Sequence, residues 1–119
     1  MYIELDTLVW HIEGFSTSFL DPNTYTLYYE YELPPDICTS EMLQVPKIDV
    51  RIIVTKFIKN YRIFRYKRID YTQHLDKFHI ELNNQGIYDE WCDFRWNYLC
   101  DFASNWCNSN NIEFSKKCK

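Results

Sequence analysis

Residues 48–58 read IDVRIIVTKFI, and the fold turns on what they become. Ile48, Val50, Ile52 and Val54 fall on one parity; Asp49, Arg51 and Thr55 fall on the other. This is the period of two expected of a strand with one buried face, in residue types that favour strands. A tight turn at Lys59-Asn60 then leads into a second such run, Tyr61 to Tyr71. A two-residue loop would set Arg51 opposite Arg68 and Asp49 opposite Asp70, and like charges directly opposite are unfavourable. A three-residue loop pairs Val54 with Phe64 and Ile52 with Tyr66, so a hairpin with the odd loop is the expectation.

The flanking segments are read in the same way. Thr24 to Leu33 alternates most clearly, with Tyr25, Leu27, Tyr29, Tyr31 and Leu33 on one face. Pro34-Pro35 stops it, and residues 34–46 form an irregular crossing with a short helical turn near Thr39–Leu43. Met1 to Glu13 reads as a strand whose parity changes near Asp6-Thr7, which suggests a bulge. Asp21-Pro22-Asn23 is turn chemistry. Phe78 to Leu82 makes a fifth, short strand. After Asn83-Asn84-Gln85-Gly86, the spacing of Tyr88, Trp91, Cys92, Arg95, Tyr98, Leu99, Phe102 and Trp106 predicts a helix over 87–108. Ile112–Phe114 reads as a short returning strand or a tail contact. The expected fold is α+β: an antiparallel β-meander of about five strands with one long C-terminal amphipathic helix packed on one face, in a single domain over 1–119.

The chain has 119 residues with 46% hydrophobic, 18% aromatic and only two glycines. Area scaling has such a chain bury about two thirds of its surface, enough for a core without metal or disulfide staples. So few glycines argue against a phosphate-cradling loop. No uncharged run approaches the ~20 residues a membrane-spanning helix needs. The five cysteines are odd in number and contain no CxxC pair, and the first residues are acidic. The expectation is therefore a reduced, cytoplasmic protein.

Charge is segregated. Residues 1–46 carry eight acids and no Lys or Arg. Residues 47–77 carry nine basic residues against three acids. The two stretches either neutralise each other across strands or display a bipolar surface that steers a partner.

Enzyme signatures are absent: no HExxH, EF-hand, GxSxG, GxGxxG or Walker loop. Cys92, Cys100 and Cys107 are spaced too widely along one helix to share a zinc, and read as core. His74 and His79 are candidates for the acid and base of a small metal-independent nuclease or hydrolase. The basic stretch 51–68 interleaves Lys56, Lys59, Arg62, Arg65, Lys67 and Arg68 with Phe64 and Tyr66, a composition suited to single-stranded nucleic acid. The acidic third offers Glu4, Asp6, Tyr28, Glu30 and Glu32, with Phe94 on the helix as a further anchor; carboxylates beside tyrosines suit a basic protein surface.

The leading expectation is a non-catalytic protein-binding module, a small acidic inhibitor without cofactor or metal. In size and charge it stands with toxin-immunity proteins and phage anti-defence antagonists, though no motif specifies either. Nucleic-acid binding through the 51–68 hairpin is the alternative. The aromatic helix face also offers a surface for a second copy.

Overall fold

The computed structural model describes residues 1–61 and 69–115. The chain mixes helix and strand, 52% and 13% respectively, so helices carry most of the core. Residues fall into two compact units: Met1–Ile48 with the chain from Leu99 onward, and Asp49–Tyr98.

In the first unit, β1 (Ile3–Glu4) leads directly into α1 (Leu5–Glu13). Leu5, Leu8, Val9 and Ile12 are buried at helical spacing. The change of parity expected to be a strand bulge is therefore the signature of a helix. A hairpin follows, with β2 (Ser18–Asp21) antiparallel to β3 (Thr26–Tyr29); Ser18 pairs with Tyr29 and Asp21 with Thr26. The turn is as expected: Asn23 N donates to Asp21 Oδ1 at 2.9 Å. The predicted strand Thr24–Leu33 is shorter. Tyr25 sits at a left-handed φ of 57°, and Glu30–Glu32 tightens into a 3-10 turn. A second 3-10 turn, Thr39–Glu41, forms where a helical turn was expected. It precedes β4 (Leu43–Gln44), which pairs with β2.

At the chain's far end, β5 (Phe114–Ser115) lies parallel to β1, with Ile3 opposite Phe114. Ile3, Leu20, Val45, Leu99, Cys100, Ala103, Cys107 and Ile112 are the further buried apolar residues of this unit. Cys100 is disulfide-bonded, while Cys38 and Cys107 are free. The expectation of a wholly reduced set is thus corrected, since an odd count still accommodates a pair.

The second unit contains α2 (Val50–Ile58), α3 (Leu75–Asn84) and the start of α4 (Tyr88–Ser109). The stretch expected to be the central strand is helical. Asp49 caps α2, its Oδ1 accepting from Arg51 N at 3.0 Å, and Ile53, Val54 and Phe57 face inward one turn apart. A satisfied cap and an i, i+4 apolar pair outweigh the β-preference of the branched residues. The hairpin register that paired Val54 with Phe64 and Ile52 with Tyr66 does not form, because its first arm is α2. Arg62 to Arg68 lie outside the described residues. Phe78–Leu82, expected as a strand, lies within α3 and buries Phe78 and Leu82 four residues apart. Gly86, at φ 68°, ends α3, with Ile87 N donating to Leu82 O at 3.0 Å. Glycine adopts this left-handed geometry without a Cβ penalty. The long C-terminal helix begins and ends within a residue of its expected bounds.

The core of this unit is aromatic. Phe57 meets Trp91 at 5.2 Å and Phe78 at 6.1 Å, and Phe78 meets Trp91 at 4.9 Å, all edge to face. Edge-to-face contacts add to area burial. Among the described residues the sheets have two and three strands, so the five-strand meander is replaced by small sheets and four helices. No helix among them is long and apolar enough to cross a membrane.

Candidate functional site

The chemistry of the first unit gathers around His11. This side chain lies in the last turn of α1 and is buried. Its Nδ1 is 2.9 Å from the hydroxyl of Ser18, itself fully buried on β2. Its ring stacks on Tyr29 of β3, centroids 4.2 Å apart, and Tyr29 stacks on Tyr31 at 5.4 Å. Burial holds the imidazole below its ordinary value; the charge of Glu32 opposes this and that of Lys47 adds to it. His11 is therefore neutral at physiological pH.

Lys47, the first cation of the sequence, reaches back to the end of α1. Its Nζ donates to His11 O at 2.5 Å and to Gly14 O at 2.8 Å. A cation is well placed on those carbonyls, which have no helical partner. This lysine is thus engaged with backbone in its own unit.

The hairpin ladder continues past its last paired residues, with Glu30 N donating to Thr17 O at 2.8 Å. A Cβ added to Gly14 would stand 3.5 Å from a ring carbon of Tyr29, so the α1 terminus runs against the same ring. These contacts bring the α1 end, the loop after it and the 3-10 turn together. Each carries an exposed aromatic: Trp10 at 68%, Phe15 fully open and Tyr31 at 75% exposure. Glu13 is exposed at the end of α1, and Glu30 and Glu32 are exposed on the 3-10 turn. Glu32 is held in place, its Oε1 accepting from Tyr29 N at 2.8 Å.

The expected site residues fall as follows. Glu4 is exposed at the end of β1, and Asp6 is half-buried in the first turn of α1, accepting from Thr7 N. Tyr28 is half-buried on β3 opposite Phe19. Glu30 and Glu32 lie on the 3-10 turn rather than along one strand face. Phe94 belongs to the second unit, where it packs edge-on to Phe57 at 5.3 Å and beside Tyr98. Trp10 and Tyr31 were not singled out by sequence, because reading residues 1–13 and 24–33 as strands hid which aromatics stay outside; Phe15 lies between those stretches, where no period bears on it.

Of the basic group, Lys56 is exposed on α2 with its Nζ 5.6 Å from the Tyr98 ring centroid, and Lys59 is exposed at the end of the same helix. Arg62, Phe64, Arg65, Tyr66, Lys67 and Arg68 lie outside the described residues. A two-stranded platform for base stacking is not available where α2 replaces the first arm.

His74 is exposed at the start of α3 and His79 is exposed further along it, its ring 6.1 Å from that of Tyr88. Burial pushes the Cys107 thiol up to about 11, so it stays protonated at neutral pH. Among the described residues no group of three or more His, Cys, Asp or Glu is arranged to hold a metal ion. No family model, curated protein or solved structure matches the chain.

Proposed function

We propose that the first unit is a protein-docking module that covers a basic surface on a target protein and so acts as an inhibitor by occlusion. The observation that carries this reading is the set of exposed Trp10, Phe15 and Tyr31 on segments that also carry exposed Glu30 and Glu32, with Lys47 engaged on backbone carbonyls. Isolated exposed apolar residues are ordinary; three large exposed aromatics on neighbouring segments that also carry carboxylates are less so. Aromatics supply buried contact area with few rotatable bonds, and carboxylates steer a basic partner and fix its register.

The test is kinetic. A target captured by the tagged chain, resistant to nuclease treatment, is purified and its association rate measured in graded salt. Glu30→Lys/Glu32→Lys is expected to slow association about tenfold or more at low salt, with a smaller effect at high salt. A rate indifferent to both the substitutions and the salt overturns the reading.

A further inference from the structure

The first unit also contains a cleft of about 490 Å³ between the start of α1 and the first half of β3. Its walls include Tyr2, Glu4, Thr7, His11, Tyr25 and Thr26. Thr7 and His11 come one turn apart and so line the same side of α1, with Glu4 just before its first turn. We infer that this cleft receives an arginine side chain of the protein partner, with Glu4 as its counter-charge; this deepens the docking reading above and rests on it.

Three observations favour that occupant. The Glu4 carboxylate is exposed and has no hydrogen bond or ion pair among the described residues. The remaining walls are tyrosines, threonines, Ile3 and Leu27, which add no positive charge, and His11 has its Nδ1 engaged with Ser18. The cleft also belongs to the same unit as the exposed aromatic end, and His11, which lines it, stacks on Tyr29. A planar guanidinium suits such a site better than an ammonium. It pairs with a carboxylate in bidentate fashion, lies flat on aromatic rings and is more weakly hydrated. The volume lies within the range of ligand clefts and takes one long side chain with room for water.

The experiment is a titration of the full chain, followed by amide resonances, with Nα-acetyl-arginine methylamide. The citrulline analogue, neutral and nearly isosteric, and the lysine analogue are run beside it. Saturable shifts at Tyr2, Glu4, Thr7 and Thr26 are expected with the arginine probe, weakened about tenfold by Glu4→Gln and absent with citrulline. Glu4 makes no side-chain cap to α1, so the substitution leaves the helix cap unchanged, and the melting temperature checks this. Shifts elsewhere, equal binding of citrulline or lysine, or indifference to Glu4→Gln overturns the proposal. The two readings separate cleanly. If Glu30→Lys/Glu32→Lys slows capture of the target while Glu4→Gln leaves target affinity unchanged, the cleft assignment fails and the docking surface stands. If neither the double change nor Glu4→Gln alters target binding, the docking reading fails.

Discussion

The ring of His11 lies stacked on that of Tyr29, their planes 23° apart, and this couples a buried base to an exposed acidic turn. The imidazole touches Ser18 on one strand and Tyr29 on the next, while Lys47 holds the carbonyl of the same residue. One residue thus ties α1, the hairpin and the chain after β4 together.

Stability should therefore fall on mild acidification. His11 has an ordinary value of 6.5, and burial lowers it in the folded chain. The unfolded chain then binds the proton more readily, so stability is complete above pH 6.5 and is lost progressively below it, until the folded state also protonates. The slope from this one group is at most about 1.4 kcal/mol per pH unit. Urea midpoints from pH 7.5 to 5 measure it, and His11→Gln is expected to flatten the curve. An equal slope in both proteins removes His11 as the cause.

Phe15→Ala and Tyr31→Ala should each weaken the target complex by about 2 kcal/mol, roughly 30-fold. Most of the change should appear in the dissociation rate. Both side chains are exposed, so melting temperatures should hardly move. Ile52→Ala, an exposed apolar change in the second unit, serves as the control and should leave affinity unaltered.

Removing the cap of α2 should loosen the second unit from one end. Asp49→Ala takes away the acceptor for Arg51 N and the ion pair to the same arginine, whereas Asp49→Asn keeps a capping oxygen. Faster amide exchange at Ile52 and Ile53 in the alanine variant, largely restored by asparagine, is the expected result. The hydrogen bonds from Arg51 hold the Asp49 carboxyl below its ordinary value. Its contribution is therefore present above the usual carboxylate range and disappears as pH falls through the folded value.

Phe57→Ala should destabilise the second unit by about 3–5 kcal/mol. The ring is 1% exposed and stands at the centre of the contacts with Tyr61, Phe78, Trp91 and Phe94. Denaturant unfolding followed by tryptophan fluorescence reads the change, because Trp91 shares the cluster. A loss below 1 kcal/mol would contradict the packing described.

How much of this was legible in the sequence depended on length and context. α4 was readable because its 22 residues repeat the helical spacing many times, so single exceptions do not blur it. The 9-residue α1 and α2 and the 10-residue α3 were not. In IDVRIIVT four apolar residues fall on one parity, yet Ile53 and Val54 are buried while Val50 and Ile52 are exposed. Over two turns both periods fit, and the cap at Asp49 decides. The turn at Asp21-Pro22-Asn23 was legible because its chemistry is local. The pairing of β1 with β5 was not, since strands of two residues carry no period and their partners are over a hundred positions apart. Within the candidate site, the acidic excess was visible from composition alone. The aromatics beside it, and the role of His11, needed the knowledge that residues 5–13 coil.

The parallel pairing of Ile3 with Phe114 bears on the order in which the molecule is made. Chains emerge from the ribosome N-terminus first, and domains generally fold as units in that order. Here the second unit is contiguous, and all its residues are present once Tyr98 has been added. The first unit is made in two pieces, before and after the second, and β1 waits for a neighbour encoded after the second unit is complete. On the docking reading, binding through the first unit is expected only once the chain has been translated through Phe114.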